Sequence, residues 1–346
     1  GTPIYLYDLK IIENQFQILK KELSVLKDYK IYFAAKSLSN ISILKFINKL
    51  GAGLDAVSIE EVKIGLKCGF NKDEILYTPN GVSFEEIKQV FKLGVKINLD
   101  SIESIKDFIN EYGYQSITVR INPGIYAGGN ENVSVGHSKS KFGITEDKID
   151  ELLDMDIKGK IKITGLHIHT GSDITKNNQF KEGVKKIFSI ARDFKNIESI
   201  DFGGGIKIPY YEDDTSTNLN EYVKVVSNEL NKFESEFNKK LKLIFEPGKF
   251  LVSDCGFFIT KANYIKSTKT KDFIQVDCPS PPPLAATPSQ PAAVPPHNRT
   301  ARAPAAPPPA PPPIHAPAPP SAGTARSRTA QHHILPSWTV RPPPSF

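Results

Sequence analysis

Ile31-Tyr32-Phe33-Ala34-Ala35-Lys36-Ser37 is an apolar run of strand character that ends on a lysine. Seven more short apolar, β-prone runs follow, at 53–57, 75–78, 96–99, 117–122, 163–169, 199–202 and 243–246. Around and between them lie stretches whose apolar residues recur at helical spacing, at 11–26, 41–50, 60–68, 83–91, 102–112, 146–153, 180–194 and 219–237. Eight strand-and-helix repeats in roughly 250 residues make the alternation of a (β/α)8 barrel. A doubly wound open sheet alternates in a similar way, so periodicity alone favours the barrel only modestly.

The placement of the odd residues tips the choice. Lys36, Asp55, Arg120, His169, Gly203 to Gly205 and Glu246 all fall at or just past the C-terminal end of a strand run. In a barrel those ends converge on one mouth, whereas in an open sheet they spread along a crest with binding at one switch point. An α/β fold of the (β/α)8 TIM type is therefore expected over residues 1–256. Two further β segments, 257–264 and 272–277, joined by the polar turn 266–271, read as the opening of a second, β-rich domain.

That domain does not continue in the sequence. Residues 278–346 contain no Asp, Glu or Lys and hold 22 of the 27 prolines, while residues 1–277 carry 37 lysines and only two arginines, Arg120 and Arg192. Proline lacks an amide donor and this stretch has few apolar side chains to bury, so a truncated β-domain followed by a disordered Pro/Ala-rich tail is expected. The abrupt change from lysine to arginine usage suggests a junction to sequence foreign to the body, although its proline runs also fit an SH3 ligand. The chain starts at Gly1, which suggests a fragment lacking its natural start.

Of the formal charge of +6, the body carries +1 and the tail +5. The tail's arginines are scattered among Pro and Ala without stacking residues, so no nucleic-acid partner is expected. No run reaches the about 18 to 20 apolar residues of a membrane span, and no basic-then-apolar signal profile opens the chain. A cytoplasmic protein with no membrane partner is expected. Cys68, Cys255 and Cys278 form no CxxC spacing and no disulfide framework.

Taken singly, the candidate site residues are ambiguous. A strand-end lysine such as Lys36 is more often an ion-pair partner, but it forms a Schiff base where its pKa is lowered enough to give free amine. Asp55 and Arg120 are placed to orient it, and Arg120 reads equally as a structural ion-pair partner. Gly203-Gly204-Gly205 exposes backbone amides that suit a phosphate, or makes only a tight turn. Ser172 either donates a hydroxyl to the same phosphate or caps a helix. His167 and His169, two apart in a strand, face one side; with no further His or Cys cluster in the body, no metal is expected. His169 suits covering a planar cofactor, and His167 suits a hydrogen bond inside the barrel. Glu246, in Glu246-Pro247-Gly248-Lys249, ends the eighth strand as a salt-bridge partner or as the carboxylate facing a pyridine nitrogen.

In this order the segments resemble the barrel domain of diaminopimelate decarboxylases and, more broadly, the alanine-racemase-like and ornithine/arginine decarboxylase barrels. The resemblance is carried by Thr2 to Asp8, Tyr32 to Ser37, Gly51 to Ser58, Arg120 to Pro123, Ser140 to Ile144, Gly165 to Ser172, Asp201 to Gly205 and Glu246 to Lys249. It implies pyridoxal 5'-phosphate as cofactor, a Schiff base on Lys36, His169 stacked on the ring and Glu246 at the pyridine nitrogen. Ser172, Gly203, Gly204, Gly205, Gly248 and Lys249 are implied around the phosphate. It further implies decarboxylation of meso-diaminopimelate to L-lysine, or of another basic amino acid such as ornithine, arginine or carboxynorspermidine, in a homodimer. Lys249 stands where the family pattern has Arg, and Asn40 is displaced from its usual place near the lysine. Because the β pattern ends near Val276-Asp277, impaired activity of this chain is also expected.

Overall fold

The computed structural model describes residues 1–278 except 126–135, 137–139, 173, 175–176 and 212, together with the side chains of 177 and 178. The disordered tail expected over 278–346 lies outside the described residues from 279 onward, as does most of the glycine-rich stretch ahead of Ser140.

An N-terminal strand β1 (Ile4–Tyr7) leads into α1 (Leu9–Leu23) and then into the barrel. Its strands are β2 (Tyr29–Ala34), β3 (Gly53–Ala56), β4 (Ile75–Tyr77), β5 (Lys96–Leu99), β6 (Ser116–Ile121), β7 (Lys162–Ile168), β8 (Ser199–Asp201) and β9 (Lys242–Phe245). All neighbours pair in parallel, and β9 returns to β2 to close the ring. The helices are α2 (Ile41–Lys49), α3 (Ile59–Lys67), α4 (Phe84–Lys92), α5 (Ile102–Tyr112), α6 (Ile149–Ile157), α7 (Asn177–Ala191), α8 (Leu219–Phe237) and the single turn α9 (Lys249–Val252). The expected barrel is therefore present, with each expected strand in place to within two residues.

Local chemistry sets the helix starts. Ser58 and Ser83 accept the amides of Glu61 and Glu86, a Ser-x-x-Glu pattern that satisfies a first-turn donor left without a helical acceptor. Asn40, which stands away from its usual place in the lysine motif, caps α2 by accepting from Ser42 N at 2.9 Å. Asp8 caps α1, so that helix begins two residues earlier than its apolar spacing suggests.

Strand residues alternate between two environments, as period-two geometry requires. Outward side chains meet helices: Leu54 lies against Gly65 of α3, Ile168 against Gly183 of α7, and the Tyr77 hydroxyl reaches Glu86 of α4 at 2.8 Å. Inward positions are crowded instead. Tyr32 occupies the space a side chain at Gly53 would need, and a Cβ on Gly165 would lie 2.6 Å from both Thr118 and Ser199. Small residues there let the ring close without voids or overlap.

One expectation about β structure is corrected. The run 257–264 is not one strand: it splits into β10 (Gly256–Ile259), which pairs antiparallel with β1, and β11 (Ala262–Ser267), which pairs with β12 (Asp272–Val276). The strand β1 was not expected, because its partner lies at the far end of the chain and leaves no local signal. Every residue of β11 and β12 is exposed, including Tyr264, Ile265 and Ile274. Among the described residues no helix is long and apolar enough to cross a membrane.

Phe188 of α7 is fully buried, with ring centroids 6.2 Å from Phe202 and 6.0 Å from Phe233 of α8. Phe188→Ala should cost about 3–5 kcal/mol by loss of burial and creation of a cavity. Urea denaturation followed by circular dichroism measures it.

Candidate active site

At the C-terminal ends of the barrel strands the polar residues meet. Lys36 lies in the 3-10 turn Ala35–Ser37 that leaves β2, and its Nζ is 3.2 Å from Asp55 Oδ2 on the adjacent β3. Asp55 is buried, while 49% of the Lys36 side chain is accessible through the open mouth. Lys36 does not have the lowered pKa that would give free amine. Burial alone would lower it, but Asp55 and Glu246 outweigh burial and Arg120, so the group is raised and stays an ammonium. For Asp55 burial is the leading influence and, with Glu246, raises its carboxyl.

Glu246 follows β9 directly and is buried. Its Oε2 is 3.3 Å from His167 Nε2, so His167 is the barrel-interior hydrogen-bonding residue expected of it. Burial acts to raise the Glu246 carboxyl, yet His167 and then Lys36 override this and hold it down at about 2. Asp201, at the end of β8, completes a buried group in which one ligand-type atom from each of His167, Asp201 and Glu246 lies within 4.8 Å of the others. The sequence reading assigned Asp201 no role. Its signal was the isolated acid in Ile200-Asp201-Phe202, masked by the glycines beside it.

His169 sits just beyond β7. The Gly204 amide donates to its Nδ1 at 3.3 Å, which places the ring proton on Nε2. Burial, and then Lys36 and Arg120, push its pKa well below the usual histidine value, so the ring is neutral. Gly203 (φ +64°) donates its amide to Asp201 Oδ1 at 2.8 Å. Two of the three glycine amides are thus used inside the turn, and Gly205 N is uncommitted among the described residues. The glycines are sterically required: a Cβ on Gly204 would lie 2.5 Å from the Glu246 carbonyl oxygen, and one on Gly205 would run into that of Gly171.

Gly248 is similarly held, since a Cβ there would collide with Ser37 Oγ in the Lys36 turn. Lys249 Nζ bonds the Tyr210 hydroxyl at 2.9 Å, a partner sequence reading did not foresee. Ser172 is half-buried in the turn after His169, five residues ahead of the start of α7. Arg120 makes no direct ion pair among the described residues; its guanidinium lies 4.6 Å from the Phe142 ring centroid. Burial lowers its pKa, opposed by Glu246, Asp100, Asp55 and Asp201, and a guanidinium remains charged.

A family model for the pyridoxal binding domain of pyridoxal-dependent decarboxylases matches residues 9–253, the span that builds this mouth. The chain belongs to this family, within the diaminopimelate decarboxylase group. It is 30% identical to the diaminopimelate decarboxylase of Campylobacter jejuni, over 80% of this chain and 70% of that protein. The enzyme of Methanothermobacter thermautotrophicus is also 30% identical, and this chain spans 66% of its length, just under two thirds. The crystal structure of the Helicobacter pylori diaminopimelate decarboxylase, a complex with L-lysine, superposes with a TM-score of 0.70 at 31% identity, covering 80% of this chain and 71% of that one.

Because the Asp55 charge helps to hold Lys36 protonated, Asp55→Asn should lower the Lys36 pKa and raise its free-amine fraction at any given pH. Limited acylation across pH 7–11, read by peptide mass spectrometry, should show Lys36 modified at lower pH in the variant than in the parent. Surface lysines serve as the internal reference.

Proposed function

We propose that the barrel mouth binds pyridoxal 5'-phosphate on Lys36 and that the chain is built for decarboxylation of meso-diaminopimelate to L-lysine. The observation that carries this reading is the pairing of a mouth lysine held by Asp55 with a buried Glu246 whose Oε1 has no donor. A protonated ring nitrogen is a donor of the kind that oxygen lacks.

The other residues fit the same group. The His169 ring, fixed through Nδ1 and neutral, supports stacking on a flat cofactor. The uncommitted Gly205 amide, the Ser172 hydroxyl and the Lys249 ammonium would hold a phosphate, while Gly203, Gly204 and Gly248 permit the close backbone approach around it. Lys249 brings the charge without the two-pronged geometry of arginine, and its Tyr210 partner restrains it. Bound there, the cofactor supplies an electron sink for the pair left on Cα when a carboxylate departs as CO2. Asp55 orients the Lys36 amine and holds its proton. Arg120 keeps a fixed positive charge beside both.

The choice of diaminopimelate rests on the relatives, whose names share that substrate, and on the neighbour that holds L-lysine. In the full chain supplied with pyridoxal phosphate, borohydride reduction followed by peptide mapping should place the cofactor on Lys36. The Lys36→Ala variant should trap none there. Incubation with meso-diaminopimelate should then yield L-lysine, detected by chromatography. Trapping on another lysine would overturn the site, and turnover of ornithine or arginine in place of meso-diaminopimelate would overturn the substrate.

A further inference from the structure

Asp201 is a buried acid of the mouth that the reading above leaves without a part. It lies between His167 on β7 and Glu246 past β9, with 4% of its surface exposed. Its Oδ1 accepts the Gly203 amide at 2.8 Å, and its Oδ2 is buried without a donor. Glu246 Oε2 meets His167, and Oε1 is likewise buried without a donor. An oxygen of each carboxyl group lies within 4.8 Å of an oxygen of the other. If both were ionised, two like charges would face each other out of water and two oxygens would go without a hydrogen bond. One proton between them removes both faults.

The surroundings decide which acid keeps it. Glu246 is faced by His167 and Lys36, which favour its anion. Asp201 has Asp55 on one side, and the Tyr32 and Tyr222 hydroxyls feel its charge unfavourably. Arg120 faces both acids. Burial and then Glu246 push the Asp201 carboxyl well above the usual carboxylate range.

We propose that Asp201 is a positioning residue, a neutral carboxylic acid that donates from Oδ2 to Glu246 Oε1 and so leaves the pair with one negative charge, lodged on Glu246. The shared proton is a property of the chain without cofactor. Its consequence for a ring nitrogen rests on the function proposed above: a carboxylate oxygen accepts two hydrogen bonds, so Oε1 can serve Asp201 and a ring nitrogen together. Asp201 then acts only through Glu246, by fixing its oxygen and its charge. Asparagine reproduces the arrangement, since its carbonyl can accept from Gly203 and its amide can donate to Glu246.

The test uses the full chain, chelator-treated and free of cofactor, with isotope-labelled aspartate. At pH 7.5 its infrared spectrum should contain the carbonyl band of a protonated aspartic acid. The band should persist in Asp55→Asn and vanish in Asp201→Asn. Absence of the band from folded parent protein, or its loss in Asp55→Asn alone, would overturn the proposal.

Melting temperature gives a second reading. An acid with a raised native pKa keeps its proton in the fold and releases it on unfolding above about pH 4, so it lowers stability as pH rises from there through the native value. Asp201→Asn removes that loss, and its melting temperature should climb relative to the parent between about pH 4.5 and 8. A constant or falling difference would sink the shared proton. Failure to trap pyridoxal phosphate on Lys36 would overturn the functional reading and leave both of these results standing.

Discussion

Where β9 hydrogen-bonds to β2, Ile31 meets Phe245 and the sheet loses its last free edge. Pairing continues past the strands, for the Ala34 amide donates to the Pro247 carbonyl at 3.3 Å. This seam brings the turn carrying Lys36 beside the segment carrying Glu246, although they stand at opposite ends of the barrel sequence. A closed ring also divides every strand into an outward, helix-covered face and an inward one. The inward residues near the C-terminal ends then have nowhere to go but a common mouth.

Convergence has an electrostatic cost. Asp55, Asp201 and Glu246 enter the same poorly solvated space as Lys36, Arg120, His167 and His169, and their ionisation is set jointly. Lys36 is held as a cation because two acids outweigh its desolvation. His169 is neutral because desolvation and two cations act together. Glu246 stays an anion because histidine and lysine face it. The buried oxygens that lack donors, at Asp55, Asp201 and Glu246, mark where the charge balance is still open to a proton or a bound group.

Steric constraint reinforces that arrangement. Gly203, Gly204 and Gly205 wrap so closely around His169, the Glu246 backbone and Gly171 that no side chain fits at any of them. The same tightness spends the Gly203 and Gly204 amides on Asp201 and His169. The turn is therefore a brace for the acid and the imidazole as much as a cradle, with only the Gly205 amide left to face outward chemistry.

Much of this was legible in the sequence because it is local. Strand periodicity and polar strand ends are properties of a few consecutive residues, and together they pointed to the barrel and to Lys36, Asp55, Arg120, His169 and Glu246 at its strand ends. What escaped has distant causes. The pairing of β1 with β10 joins the two ends of the body, so nothing within either segment announces it. Asp201 looked like the flank of a glycine turn until closure placed it against Glu246, and Lys36 looked like a lysine needing a lowered pKa until Asp55 and Glu246 reversed the sign. The sequence by itself determined eight repeats and which polar residues stand at the strand ends. Only the tertiary structure decided which charges meet there, because a buried group's ionisation depends on neighbours within a few ångströms, and barrel closure chooses those neighbours.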